Sequence, residues 1–238
     1  MAAKIRNVKS RRRNRGPPAF AVQEAPPGGA NALRIVGGQW RGRRIRFPPM
    51  PALRPTPDRV RETLFNWLQG TIGGARCLDL FAGSGALGLE ALSRGAAEVV
   101  FVERDPAIAA ALAANLALLE RPATAAADRA AAVPAAAPAP GAGSAPRGRV
   151  LAVDAFEYLA GAPRPFDVVF LDPPYGQGRL PELCRLVESR GWLAARALVY
   201  VESAAREGQP VLPPSWSQWR QLRAGGVSAG LARRAESP

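Results

Sequence analysis

The chain has 238 residues, room for one domain of ordinary size and a small appendage. It contains no histidine and two cysteines, Cys77 and Cys184. That excludes a histidine base, Ser-His-Asp and Cys-His catalysis, and metal sites built on histidine or on a set of thiolates, so no metal is expected. Lys+Arg number 32 against 19 Asp+Glu, a net charge of +13.

The charge is unevenly placed. Up to Asn66 there are 15 basic residues against Glu24, Asp58 and Glu62, whereas the remainder carries 17 against 16 acids. A local positive field of this strength suits a polyanion, either nucleic acid or an anionic membrane. No apolar run approaches the ~18 residues of a membrane span. The arginine-rich start lacks the apolar core of a secretory signal. The expectation is a reduced, cytoplasmic protein without a membrane partner.

Residues 1–31 read as a disordered basic tail, with Arg11-Arg12-Arg13 and Arg15 followed by Pro/Gly-rich sequence. It is either a solvated charge run or a phosphate-contacting arm. Leu33–Val36 is strand-like, Gly37-Gly38 a turn, and Gly42–Phe47 alternates, predicting an arginine-studded hairpin. Thr56 is placed to cap a helix with Pro57 at its first position, and Val60, Leu64, Trp67 and Leu68 share one face. We take 32–70 as one unit, a basic hairpin and helix suited to a polyanion, and 71–238 as a second, larger domain.

The body alternates. Strands are predicted at Cys77–Phe81, Glu98–Glu103, Val150–Val153, Asp167–Leu171 and Leu198–Glu202. Helices are predicted at Gly85–Ser93, Pro106–Glu120, Phe156–Leu159 and Leu180–Ser189. Continuous apolar strands between helices imply a parallel sheet covered on both faces. Trp216–Leu222 and Val227–Leu231 would add an antiparallel edge pair. Residues 122–146 hold 13 alanines and five prolines, a composition that predicts a flexible insertion.

The first body strand runs into Asp79-Leu80-Phe81-Ala82-Gly83-Ser84-Gly85. Glycines there let backbone approach a ligand and free N–H groups at the next helix start. Gly83, Gly85 and Gly88 satisfy G-x-G-x-x-G, so a dinucleotide dehydrogenase is one reading. Asp79 opposes it, because an acid before the loop repels a pyrophosphate but holds a cationic amino group. Glu103, at the end of the next strand, can accept from both ribose hydroxyls. Asp154 is placed either to contact an adenine edge or to cap a helix. This set resembles the S-adenosylmethionine-dependent methyltransferases, whose cofactor is a cationic sulfonium.

Phe166–Leu171 ends in Asp172-Pro173-Pro174-Tyr175. Two prolines fix the backbone and remove two donors. A carboxylate, rigid carbonyls and an aromatic ring are left projecting. Asp172 and the Pro173 carbonyl can accept both hydrogens of an exocyclic amine while Tyr175 stacks on the base. Methylation at a pyrimidine carbon would need a cysteine nucleophile. Cys77 in a buried strand and Cys184 on a helix disfavour it.

With these residues the chain is similar to the RsmD-type methyltransferases, which modify the exocyclic amine of a guanine in bacterial 16S ribosomal RNA. The resemblance runs from about Leu33 to Trp219. It rests on Arg34-Ile35-Val36-Gly37-Gly38-Gln39-Trp40-Arg41-Gly42, on Arg54-Pro55-Thr56, and on Arg59 through Leu68. It continues in Asp79–Gly95, Asp172–Tyr175, Gly191-Trp192-Leu193 and Tyr200-Val201-Glu202-Ser203. The first two blocks separate this family from other amine methyltransferases.

The resemblance implies an α/β, Rossmann-like, seven-stranded class I methyltransferase fold with a small N-terminal β-hairpin extension. It implies S-adenosylmethionine at Asp79, Phe81, Ala82, Gly83, Ser84 and Gly85, at Glu103 and Arg104, and at Asp154 and Ala155. Arg54, Thr56 and Arg59 would line the cofactor mouth. The base would sit at Asp172, Pro173, Pro174 and Tyr175. Arg34, Arg41, Arg43, Arg44 and Arg46 would grip the RNA. The implied partner is 16S ribosomal RNA within a small-subunit assembly intermediate, met by a monomer. The tail, the 122–146 segment and a last strand without aromatic residues depart from the family pattern. A DNA adenine-N(6) methyltransferase, which shares Asp-Pro-Pro-Tyr, and a non-catalytic RNA-binding assembly factor stay open as alternatives.

Overall fold

The computed structural model describes residues 32–48, 56–121, 147–224 and 226–235. The predicted tail, Arg54 and the 122–146 insertion lie outside the described residues.

A hairpin of β1 (Ala32–Arg34) and β2 (Arg44–Arg46) precedes α1 (Asp58–Trp67). The body then runs β3 (Arg76–Asp79), α2 (Ala86–Ser93), β4 (Glu98–Glu103), α3 (Pro106–Glu120) and β5 (Arg147–Ala152). It continues through α4 (Ala155–Ala160), β6 (Phe166–Leu171), α5 (Leu180–Ser189), β7 (Leu193–Ala204), β8 (Trp216–Ala224) and β9 (Val227–Arg234). The seven-stranded sheet has the order β5-β4-β3-β6-β7-β9-β8. Strands β3 to β7 pair in parallel, and β9 pairs antiparallel with both β7 and β8.

Side chains alternate across a strand, so an apolar run serves two cores at once. Cys77, Val99, Phe101, Val168 and Phe170 face Leu64, Leu89, Leu112 and Leu116 of α1, α2 and α3. Their neighbours Leu78, Val100, Val102, Val169 and Leu171 face Leu159, Leu183 and Val187 of α4 and α5. The hairpin joins the first core through Leu33, Ile35, Trp40 and Ile45.

Polar bonds fix the hairpin to α2. The Val36 N–H donates to Glu90 at 2.9 Å, and the Trp40 N–H to Ser93 Oγ at 2.9 Å. The fully buried Arg61 guanidinium donates to the Arg34 carbonyl at 2.9 Å and lies 3.6 Å from the equally buried Glu90 carboxylate. Arg94 completes the cluster at 2.7 Å from Glu90.

Two local expectations are corrected. Thr56 does not cap α1; Pro57 stands at that position without a side-chain bond, and the Thr56 hydroxyl is directed at Asp172 instead. Strand β7 begins five residues before the expected Leu198, since pairing to β6 carries it through the irregular Ala195-Arg196 stretch. The expected antiparallel edge pair forms, with β8 outermost and β9 on its inner side, and the Val227–Ala232 stretch of β9 is buried. At Gly230 a Cβ would stand 2.7 Å from Gln218 Nε2 and 2.9 Å from Gln209 Oε1, so those two side-chain ends would have to shift to admit one.

Candidate active site

In an open parallel sheet, ligands bind beyond the carboxyl ends of the strands. Strand β3 ends on Asp79, β4 on Glu103, and β5 and β6 lead into Asp154 and Asp172. All four acids therefore stand at one end of the sheet.

The turn after β3 is shaped by Gly83 and Gly85, with φ of 50° and 79°. A Cβ on Gly85 would lie 2.3 Å from Leu112 Cδ1, so only glycine fits where α2 starts. Asp79 is buried and accepts the Gly88 N–H at 2.9 Å. Burial pushes its carboxyl up to about 7, against the lowering effect of that bond. One Glu103 oxygen accepts the Gly83 N–H at 2.9 Å and the other the Asp105 N–H at 2.8 Å. Glu103 thus braces the glycine turn from the next strand, and each oxygen keeps a lone pair for a hydroxyl. Phe81 is half-buried; Ala82, Gly83 and Ser84 are buried beneath the turn; Arg104 is exposed. Asp154 caps α4 by accepting the Phe156 N–H at 2.8 Å, with Ala155 buried behind it.

At the end of β6, Pro173 is buried and Pro174 exposed. Tyr175 keeps 40% of its surface exposed. Its hydroxyl donates to Glu202 at 2.7 Å, and the Tyr200 hydroxyl donates to the other Glu202 oxygen at 2.6 Å. The Gly176 N–H donates to Glu207 at 2.8 Å. Two acids from β7 and its exit therefore hold the Asp172–Gly176 loop. Thr56 donates to Asp172 at 3.3 Å. Burial first, then the charges of Glu202 and Asp79, raise the Asp172 carboxyl well above the ordinary range. Glu202 is raised by burial and partly relieved by the hydroxyls of Tyr200, Tyr175 and Thr56.

Among the described residues, Asp79, Glu103, Asp172 and Glu202 have no ion pair with any cation. Asp79 and Glu202 are buried and Glu103 and Asp172 half-buried, and acids so placed without a counter-charge suit a cationic ligand. The glycine turn leaves room for its backbone approach. A sulfonium carrying an amino acid and a nucleoside fits this donor set.

Sequence reasoning missed Glu202 and Tyr200 as site residues. Both lie in a block that carries only the family resemblance, and parallel pairing of Leu171 with Val201 brings them beside Asp172. Arg59 is exposed at the first turn of α1, near the Thr56 side of the site. The hairpin arginines Arg34, Arg41, Arg43, Arg44 and Arg46 are all exposed. Arg43 also reaches the end of α3, donating to the Leu119 and Leu118 carbonyls at 3.1 and 3.0 Å. Arg34 lies 3.8 Å from Asp58. A recess at the opposite end of the sheet, lined by Gly74, Asp167, Arg196 and Arg233, gathers none of these site residues.

The chain matches the family model described as "Conserved hypothetical protein 95" over residues 33–141 and 147–232. It is 47% identical over 206 residues to ribosomal RNA small subunit methyltransferase D of Escherichia coli (strain K12), covering 87% of this chain and 92% of that one. Identity to the protein of the same name from Haemophilus influenzae is 36% over 207 residues, covering 86% and 95%. A solved structure titled a putative methyltransferase yhhF from Escherichia coli superposes with a TM-score of 0.70 at 43% identity, covering 86% of this chain and 98% of that chain. These likenesses span the glycine turn, the acids and the Asp-Pro-Pro-Tyr loop alike, and the chain belongs to the ribosomal RNA small subunit methyltransferase D family.

Proposed function

We propose that this chain methylates the exocyclic N(2) amine of a guanine in 16S ribosomal RNA, with S-adenosylmethionine as donor. The observation that carries the reading is the Asp172–Tyr175 loop standing beside the acid-and-glycine turn on one sheet end, with Thr56 bonded to Asp172. The substrate is RNA in a small-subunit assembly intermediate, and the chain acts as a cytoplasmic monomer.

When bound, S-adenosylmethionine supplies an electrophilic methyl group on a sulfonium. Asp79 attracts the cofactor's amino group, Glu103 accepts from its ribose hydroxyls, and Asp154 with Ala155 borders its adenine. Phe81, Ala82, Gly83, Ser84 and Gly85 form the floor, and Arg104, Thr56 and Arg59 the rim. On the substrate side, Asp172 and the Pro173 carbonyl accept the amine hydrogens. That favours a tetrahedral nitrogen and stabilises the charge that develops on it. Pro174 stiffens the loop, and Tyr175 offers its ring for stacking. Orientation supplies the remainder of the rate.

Replacing Asp172→Asn removes the charge but not the shape. Transfer to RNA is expected to fall by at least ~100-fold, while cofactor affinity measured by calorimetry changes less than about threefold. Full activity would remove Asp172 from the role. Mapping the absent methyl group in ribosomal RNA from a strain lacking this chain tests the base assignment.

A further inference from the structure

The near-balance of charge beyond Asn66 hides an uneven split. Residues 67–207 carry 13 arginines against 15 acids, whereas 208–235 carry Arg220, Arg223, Arg233 and Arg234 and no acid at all. These four stand on β8 and β9, at the far edge of the sheet. Arg234 is committed to Glu188 at 3.0 Å. Among the described residues, no ion pair joins Arg220, Arg223 or Arg233 to an acid, and all three are exposed.

Trp219 organises two of them. The register of β8 on β9 slips between Gln218 and Arg220, so Trp219 is the extra residue of a bulge. A bulge re-aims the side chain it carries. The ring is half-buried and packs on the first core, on the side of the sheet that α1 covers. The Arg220 guanidinium stands 4.8 Å from its centroid and the Arg233 guanidinium 4.4 Å. Two like charges on one ring repel, and an anion between them relieves the repulsion. Stacking holds a guanidinium plane while its fork of N–H donors stays available, which is the geometry that grips a phosphate. Charge on an edge strand also deters pairing with a second chain, but single charges meet that need.

Register ties this patch to the active site. Across β9, Arg220 is level with Tyr200 and Arg223 with Ser203, so the two bracket Glu202, which holds Tyr175. Strands lie ~4.8 Å apart, which puts β8 roughly 10 Å from β7. Helix α1 lies between this edge and the hairpin, bonded to the hairpin through Arg61 and packed against β8.

We propose that the β8 edge is a second RNA-contacting surface, on which Arg220, Arg223 and Arg233, arranged around Trp219, bind phosphates flanking the target guanine. This rests on the proposed function and extends the RNA footprint past the hairpin to the other flank of α1. Phosphate contacts of this kind position the strand and carry no base preference.

The probes are the small ribosomal subunit and protein-free 16S RNA, both from a strain lacking this chain. The variant with Arg220→Gln, Arg223→Gln and Arg233→Gln should raise KM about 10-fold at ~0.15 M salt on the probe that accepts methyl, with kcat and cofactor affinity within about twofold. Its slope of log affinity against log salt should fall by ~0.7 for each phosphate lost. Trp219→Leu, with the arginines intact, should weaken RNA binding about threefold, because the guanidiniums lose their plate. An unchanged KM and salt slope in the triple arginine variant would overturn the proposal. So would normal binding of that variant to protein-free RNA with weak binding to the subunit, which would assign the edge to a ribosomal protein. A wild-type chain that binds RNA but transfers no methyl would overturn the methyltransferase reading, while the salt slope of the variant still reads this surface.

Discussion

Asp79 shows how a single side chain can report its ligand. Its carboxyl, pushed up to about 7 by burial, is largely protonated below neutrality in the folded, free chain. In the unfolded chain it ionises near pH ~3.9. The folded state therefore binds more protons between these values, and its stability declines as pH rises through the window. Asp79→Asn should flatten that decline in urea titrations read at several pH values. A bound cation favours the ionised form, so cofactor binding near pH 7 should expel roughly half a proton. Calorimetry in buffers of different ionisation enthalpy measures this, and zero release would separate Asp79 from the cofactor. Asp79, Glu103 and Asp172 were legible in the sequence because each sits beside a short motif at a strand end. Glu202 was not, because nothing near it in sequence marks it. Its partner Tyr175 is 27 residues away, and Thr56 is 116 residues from Asp172.

At the scale of elements, the joint between hairpin and α2 carries the energy. Arg61 and Glu90 are both fully buried, and truncating one leaves the other uncompensated. Arg61→Ala should cost ~3–5 kcal/mol in chemical denaturation. Gly88 makes the opposite kind of demand, since an added Cβ would stand 2.2 Å from Phe101 Cε1. Gly88→Ala should cost ~1–3 kcal/mol and loosen the helix that starts at the glycine turn. Most helix and strand positions followed from periodicity. The bounds of β4, α3 and α5 were read correctly because Pro, Gly and acidic caps flank them. The Thr56 cap failed because a tertiary partner outcompeted the local backbone. The start of β7 was missed because Arg196, at φ 63°, interrupts its apolar pattern.

For the molecule as a whole, the excess charge belongs to the sequence up to Asn66, and among the described residues the hairpin carries Arg34, Arg41, Arg43, Arg44 and Arg46 of it. Neutralising Arg41, Arg44 and Arg46 together should weaken RNA binding and flatten its salt dependence by ~0.7–0.9 for each phosphate left unneutralised. Arg43→Gln should instead lower stability, because that guanidinium is spent on the end of α3. A salt slope unchanged by the triple variant would place the RNA grip elsewhere. The parallel sheet was legible from alternating apolar strands and helices, and so was the antiparallel pair at its far edge, but not which of those two strands lies inside. Strand order among antiparallel neighbours depends on which side chains tolerate burial on both faces. Strand β9 lies between β7 and β8, so a strand translated after both of them is an inner one. Until Val227–Arg234 has emerged, β8 has no neighbour in the sheet and the Glu202 strand is left as an open edge. A nascent chain thus cannot finish its active-site wall before β9 is made. A stop codon ahead of Val227 would split the sheet from within rather than trim its margin.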